Sequence, residues 1–199
     1  YDLILISDEV HNDLVYTGYQ HHVLARAVPS IHHRLVTLVA TTKTFNLAGC
    51  MIGSMVASDN TLRNRLAQVA AATAGGRSFN RIGMLMCTAA WQGGDTWLDE
   101  LIDYLSENKR IFEEGVEKIP GLRAMKIEAT YLCWVDLTNT GMDREEFTRR
   151  VEQVAQIAVN HGNTFGAGGD TFLRFNIACR RQLVIKAVDR LTRAFSDLQ

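Results

Sequence analysis

Three charged side chains occur where the sequence predicts that strands end or run through a core. Asp8 follows the apolar run "YDLILIS", and Lys43 follows the run "LVTLVATT". Arg174 lies within a strand that is otherwise mainly apolar. A charged group beside a buried strand is unfavourable unless it is paired, neutralised or chemically used. Each residue alone also has a structural interpretation: a surface lysine, a capping or turn aspartate, and an arginine that is paired within the protein.

Together the three residue types match the needs of one chemistry. An enzyme that uses pyridoxal phosphate needs a lysine that holds the cofactor as a Schiff base and a carboxylate that keeps the pyridine nitrogen protonated. It also needs an arginine that binds the substrate carboxylate through two parallel hydrogen bonds. Lys43, Asp8 and Arg174 supply these groups in turn. Ligands of open α/β sheets bind beyond the carboxyl ends of strands, where Asp8 and Lys43 are expected.

The elements that must position these residues alternate between strands and helices in the first half of the chain. Continuous apolar runs predict buried parallel strands, and three- to four-residue apolar spacing predicts helices. We expect strands at the start of the chain, at 35–40 and at 52–58, and helices at 59–73, about 79–92 and 95 to about 118. The last helix is long enough to bridge two domains, and Asp95 is its expected N-cap.

The second half of the chain predicts a smaller α+β unit. Strands are expected at 130–137 and 171–177, and helices from Asp143 through about 159 and from about 181 to 198. Asp143 and Glu146 have the spacing of a capping box. The pattern predicts an α/β protein in two parts, with residues 1–98 in one domain and 99–199 in the other.

The first residues lie in an apolar run with no upstream element to cover it. Because a chain seldom begins inside its own core, we expect the sequence to be the C-terminal portion of a longer polypeptide. A missing N-terminal part would then supply the other strands of the first sheet.

Composition narrows the class of protein. The 199 residues are 47% hydrophobic with a formal net charge of −1, which disfavours nucleic acid and anionic membranes as partners. No apolar stretch is long enough for a membrane span, and four dispersed cysteines favour a reducing compartment, so we expect a soluble, cytoplasmic protein. The adjacent histidine pairs at 21–22 and 32–33 point apart, so no metal site is expected.

Five segments in order resemble the fold-type I pyridoxal phosphate enzymes of the class I/II aminotransferase family. These segments are "SDEVHNDLVY", "TTKTFNLAG", "GDTWLDEL", "ATYLCWVDL" and "GNTFGAGGDTFLRFNIAC". Within the family, the sequence is most similar to the cystathionine β-lyase (C–S lyase) branch. The resemblance implies an aspartate aminotransferase-like fold, of which residues 1–98 form the C-terminal part of the large cofactor-binding domain and 99–199 the small domain.

The resemblance also implies roles for individual residues. Lys43 would be the Schiff-base lysine, Asp8 the partner of the pyridine nitrogen and Arg174 the ligand of the substrate α-carboxylate. His11 stands where many aminotransferases have a tyrosine and the lyase branch often has histidine, which favours a lyase; its alternative is a surface polar residue. Thr41 or Thr42 could supply a hydroxyl to the cofactor phosphate.

Some positions depart from the family pattern. Ala40 and Met51 stand where many members have a phosphate-binding serine and arginine, and His161 stands where proline is usual. The glycine-rich phosphate cup, the aromatic residue that stacks on the cofactor and an asparagine near its 3'-oxygen would all lie in the missing part. We therefore expect the 199 residues alone to be inactive.

Three functional hypotheses remain open. The first is a β-lyase that converts cystathionine or cysteine-type substrates to thiol, pyruvate and ammonia, and the second is an aminotransferase. The third is a non-catalytic regulatory or binding module that keeps the fold. Because members of the family generally act as dimers, we expect a homodimer. The segment "AGGRSFN" at 74–80 is either a plain loop or a segment that reaches the active site of the neighbouring subunit.

Overall fold

The structure is a computed structural model that describes residues 3–73 and 80–198. The chain separates into two compact units, Tyr1–Leu101 and Ile102–Gln199. The boundary expected from the sequence was 98/99. The division falls within the long helix α5, Asp95–Val116.

The first unit contains a three-stranded sheet with the order β1-β2-β3. Its strands are β1 (Leu5–Asp8), β2 (Leu35–Val39) and β3 (Ser54–Val56). Strands β1 and β2 are parallel, with Leu5 opposite Leu35 and Asp8 opposite Leu38, whereas β3 runs antiparallel to β2. The central strand is the most buried of the three, because among the described strands β2 alone pairs with a neighbour on each side.

Helices follow the strands of this unit. They are α1 (Leu24–Ala27), α2 (Thr41–Thr44), α3 (Asn60–Thr73), α4 (Arg81–Gly93) and the first turns of α5. A 3₁₀ turn, Ala48–Cys50, precedes β3. The Asn80 side chain caps α4 by accepting a hydrogen bond from the Gly83 amide at 3.1 Å. The buried apolar residues include Leu14, Tyr16, Leu35, Val36, Ala57 and Cys87.

The second unit contains an antiparallel four-stranded sheet with the order β4-β5-β7-β6. Its strands are β4 (Arg123–Ala124), β5 (Leu132–Asp136), β6 (Asn160–His161) and β7 (Phe172–Asn176), and its helices are the remainder of α5, α6 (Arg144–Arg149) and α7 (Arg181–Ala194). Alternation along β5 and β7 buries Cys133, Val135, Leu173 and Phe175.

The buried face of this sheet packs against α5, where the rings of Phe112 and Phe175 lie with centroids 5.2 Å apart. Helices α5 and α7 approach closely at Gly115. A Cβ atom at that position would collide with the Val188 side chain, so the absence of a side chain lets the helices meet.

Several sequence-based predictions of elements need correction. Leu5 and Ile6 are 43% and 63% exposed, so β1 is not buried on both faces within the described ranges. Asp95 is the first helical residue of α5 and not its N-cap. The helix predicted from Asp143 becomes a π-helix at Arg150–Val154, where the Ala155 amide bonds the Arg150 carbonyl at 2.8 Å.

The predicted cap of α6 is confirmed, since the Asp143 carboxylate accepts a hydrogen bond from the Glu146 amide at 2.8 Å. None of the described helices combines the length and the apolar character needed to cross a membrane.

Candidate active site

Asp8 and Lys43 follow neighbouring parallel strands. Asp8 is the last residue of β1 and stands opposite Leu38, whose carbonyl accepts a hydrogen bond from the Glu9 amide at 2.9 Å. Strand β2 ends one residue later, and α2, which carries Lys43, begins at Thr41. Because parallel strands end at the same edge of a sheet, the residues that follow β1 and β2 share that edge.

Asp8 is exposed. Its Oδ1 atom accepts a hydrogen bond from the Val10 amide at 3.3 Å, which is the local turn that aspartate often forms with the residue two positions on. This bond orients the carboxylate and leaves it accessible to a ligand. Both the turn interpretation of Asp8 and its predicted cofactor role are compatible with this geometry.

Lys43 is also exposed, and in the described ranges its amine has no hydrogen-bond or ion-pair partner. The burial penalty that the sequence suggested for this amine is therefore absent here. The turn that carries Lys43 is nevertheless firmly held. Thr44 is 0% exposed and donates a hydrogen bond to Asp13 Oδ2 at 2.8 Å, and the ring of Phe45 lies 5.5 Å from that of Trp97.

The two threonines at the start of α2 are buried, with Thr41 2% and Thr42 8% exposed. Little of either side chain is accessible, so each threonine offers only a small surface to a phosphate. His11 is half-buried in the turn after β1, and its carbonyl accepts a hydrogen bond from the Leu14 amide at 3.0 Å.

A buried carboxylate lies next to Asp8. Glu9 is 5% exposed, and its Oε1 atom accepts hydrogen bonds from the Ser7 hydroxyl at 2.9 Å and the Leu24 amide at 3.2 Å. His21 Nε2 lies 2.9 Å from the other oxygen, Oε2. Burial raises the pKa of Glu9, but the hydrogen bonds from His21, Ser7 and Leu24 outweigh it and lower the pKa below its ordinary value.

Glu9 was missed from the sequence because it looks equivalent to Asp8. A usable signal existed, since consecutive residues at a strand end point to opposite sides of the sheet, so two adjacent acids there lie in different environments. Histidines of both adjacent pairs have separate local partners. Besides the contact of His21, His32 Nε2 lies 2.7 Å from the Ala25 carbonyl, and Arg34 Nε donates to His33 at 2.9 Å.

Arg174 belongs to the second unit. It lies on β7, opposite Trp134 of β5 and Asn160 of β6, and its Nη2 atom donates to Asn160 Oδ1 at 3.0 Å. Its guanidinium carbon lies 4.4 Å from the centre of the Phe165 ring. Arg174 is thus paired within the protein, as one of the two sequence interpretations expected, and still has further N–H donors.

The remaining predicted segment, "AGGRSFN", falls largely on residues 74–79, which lie outside the described residues. The sequence also missed Asn160 and Phe165 as neighbours of Arg174. Strand β6 has only two residues, too few to show the alternation that identifies a strand.

The chain is similar to a known protein family and to known enzymes. Residues 1–191 match the family model described as aminotransferase class I and II. The sequence is 30% identical over 194 residues to cystathionine beta-lyase PatB of Bacillus subtilis, a match that covers 96% of this chain and 50% of that protein.

Solved structures agree with the sequence comparison. Cystalysin from Treponema denticola, which contains a pyridoxal 5'-phosphate cofactor, matches with a TM-score of 0.93 and 33% identity over 100% of this chain and 50% of that chain. The pyridoxal phosphate-bound C–S lyase from Staphylococcus hominis matches with a TM-score of 0.86 and 27% identity over 98% and 49%. The chain spans about half the length of these proteins.

Proposed function

The chain belongs to the aminotransferase class I and II family, and on that premise we propose that it forms part of a pyridoxal phosphate-dependent C–S β-lyase. One observation carries the proposal: β1 and β2 are parallel, and an exposed carboxylate, Asp8, and an exposed amine, Lys43, follow them at one sheet edge. The names of the matched lyases support the choice of reaction.

The residues at this edge fit pyridoxal phosphate. When bound, the cofactor supplies an aldehyde that condenses with amines and a pyridine ring that withdraws electrons from the substrate. The exposed amine of Lys43 can hold it covalently, and the exposed carboxylate of Asp8 can keep a proton on the ring nitrogen. His11 is proposed for the 3'-oxygen. The burial of Thr41 and Thr42 makes the phosphate contact the weakest part of the fit.

Arg174 and Lys43 have different proposed roles in the reaction. Arg174 is proposed to bind the α-carboxylate of the amino acid, and Lys43, which would hold the cofactor, is proposed to accept the proton of the substrate Cα on its amine. The bond between Cβ and sulfur breaks, and the thiol leaves with a proton. Water completes the reaction by converting the three-carbon remainder to pyruvate and ammonia.

The whole enzyme is proposed to be a homodimer in the cytoplasm that includes a polypeptide segment preceding this chain. The further segment is supported by the finding that the chain spans about half the length of its relatives. All four cysteines are free, and Cys50, Cys87 and Cys133 are buried, which suits a reducing compartment.

An aminotransferase is the second candidate, favoured by the family description itself. The two differ in the fate of the proton and of the thiol: an aminotransferase keeps the carbon–sulfur bond and needs a keto acid as acceptor. A non-catalytic module is the candidate from another class, and it predicts no turnover with either kind of substrate.

The test uses the natural full-length protein with pyridoxal phosphate. We expect pyruvate and a thiol to form from cystathionine without any keto acid, and Lys43→Ala to reduce the rate by about 10²-fold or more. Lys186→Ala, at an exposed lysine of α7, is the control and should behave as wild type. Turnover that requires a keto acid would favour an aminotransferase over the lyase. If the protein shows neither turnover nor the visible absorbance of a bound cofactor, the non-catalytic module is favoured.

A further inference from the structure

We propose that Asn160 and Phe165 are positioning residues, which hold the Arg174 guanidinium in one orientation so that it binds a carboxylate in bidentate geometry. The inference rests on the proposed role of Arg174 and goes beyond it by naming the groups that determine its orientation. Neither residue was identified from the sequence.

The register of the second sheet places three side chains in one row. Asn160 of β6 and Trp134 of β5 both stand directly opposite Arg174 of β7. Residues directly opposite in an antiparallel sheet share a face and approach within contact distance. The opposite face of β7 carries Leu173 and Phe175, which are buried in the core. This row of Asn160, Arg174 and Trp134 therefore lies on the face that the core does not cover.

Two contacts restrain the guanidinium. Its Nη2 atom donates to Asn160 Oδ1 at 3.0 Å, which restrains rotation about the end of the side chain. The Phe165 ring lies 4.4 Å from the guanidinium carbon, a distance typical of a stacked cation–π contact. Within the described ranges, Arg174 Nε is buried and has no hydrogen-bond partner. The remaining donors therefore lie in a plane whose orientation the contacts with Asn160 and Phe165 restrain.

Phe165 is itself held in place by its loop. It ends the 3₁₀ turn Gly162–Phe165, and its ring meets Trp134 edge-on at 5.2 Å. The turn closes because Gly162 and Gly169 approach so closely that a Cβ on either would collide with the backbone of the other. Phe165 is nevertheless 51% exposed, more than an aromatic ring used only for core packing.

This arrangement predicts a specific functional effect. A carboxylate is bound bidentately only when the guanidinium plane is fixed, and a mobile side chain must lose its freedom on binding. Loss of either restraint should weaken carboxylate binding about threefold to tenfold, because the mobile Arg174 side chain must then be ordered when the carboxylate binds, which costs binding free energy. The chemical step, which involves other groups, should change by less than about twofold.

The experiment measures KM, kcat and the dissociation constant of a non-reactive carboxylate inhibitor by calorimetry, in the natural full-length protein with cofactor. The variants are Asn160→Ala, Phe165→Leu and Arg174→Ala, alone and combined. Asn163→Ala, at an exposed asparagine of the same loop, is the matched control. Phe165→Tyr keeps the aromatic face and should retain wild-type affinity.

We expect both single variants to raise KM and the inhibitor dissociation constant, and to add nothing when Arg174 is already alanine. Effects that persist in the Arg174→Ala background would reveal a general structural role and overturn the inference. Wild-type affinity in both variants, together with a loss in Arg174→Ala, would overturn the inference while leaving the proposed role of Arg174 intact. Wild-type affinity in Arg174→Ala would remove that role and the inference with it.

Discussion

Glu9 is the one acidic side chain buried within the described ranges, and it lies beside the proposed ligand of the pyridine nitrogen. Its three partners are Ser7 on β1, His21 in the segment that leaves the strand, and the amide that begins α1. A buried carboxylate is tolerated because these donors replace water. Glu9 thus anchors the polypeptide that carries His11 to the end of β1.

We predict that Glu9→Gln destabilises the protein by about 1–3 kcal/mol, because an amide group then faces donors that need an acceptor. The measurement is the free energy of unfolding by denaturant in the full-length protein. Glu100→Gln, at an exposed glutamate of the same unit, should change it little. An unchanged free energy in Glu9→Gln would mean that the network does not stabilise the fold.

The Glu9 network also predicts a pH dependence. The folded pKa lies below the ordinary value of 4.5, so the stabilising contribution is complete above that value and is lost as the pH falls through the folded pKa. The free energies of wild type and Glu9→Gln should therefore converge in acid.

At the scale of elements, the position of β7 depends on a polar residue of α5. Asn108 is 0% exposed, and its Nδ2 atom donates to the carbonyls of Ile177 and Cys179, both at 2.9 Å. These carbonyls lie directly after β7, the strand that carries Arg174. The helix therefore secures the strand end through side-chain hydrogen bonds as well as apolar packing.

We predict that Asn108→Ala destabilises the protein by about 2–4 kcal/mol, because one buried and one part-buried carbonyl lose their donor and a small cavity forms. Thermal unfolding of the full-length protein is the measurement. Asn139→Ala, at an exposed asparagine after β5, is the control and should leave Tm within about 1 °C. Equal Tm values for the two variants would contradict the anchoring role of Asn108.

At the scale of the whole molecule, surface ion pairs of the second unit connect residues far apart in sequence. Arg150 pairs with both Glu146 and Asp197, and Arg149 pairs with Glu146 at 2.8 Å. Hydrogen bonds from Arg149 and Arg150 lower the pKa of Glu146 to about 2. The bond from Arg150 likewise lowers the pKa of Asp197. The network thereby connects α6 to the turn after α7.

We predict that Glu146→Gln lowers Tm at pH 7 and flattens its dependence on pH. A lowered folded pKa contributes stability above the ordinary carboxyl pKa, and that stability is lost as the pH falls towards about 2. The Tm values of variant and wild type should thus converge in acid, and salt should reduce their difference at pH 7 by screening. Glu145→Gln is the neighbouring exposed control; parallel Tm curves for Glu146→Gln and wild type would contradict the prediction.

The sequence alone determined the family and most of the helices and strands, because the information for both is local. Apolar runs and periodicity identified β2, α3, α5 and α7 to within a few residues. Segments such as "TTKTFNLAG" have a specific order of residue types that needs no coordinates to recognise. The types and spacing of Asp8, Lys43 and Arg174 likewise predicted the class of chemistry.

Only the tertiary structure decided the contacts of those side chains, because a contact between distant residues leaves no local periodic signal. Burial separated Glu9 from Asp8, the parallel register placed the ends of β1 and β2 together, and antiparallel pairing set Asn160 against Arg174. The sequence suggested that the Lys43 amine lay beside a buried strand, whereas the structure leaves it exposed. Side-chain environments of this kind arise from packing across the whole fold, which residue types and spacing do not specify.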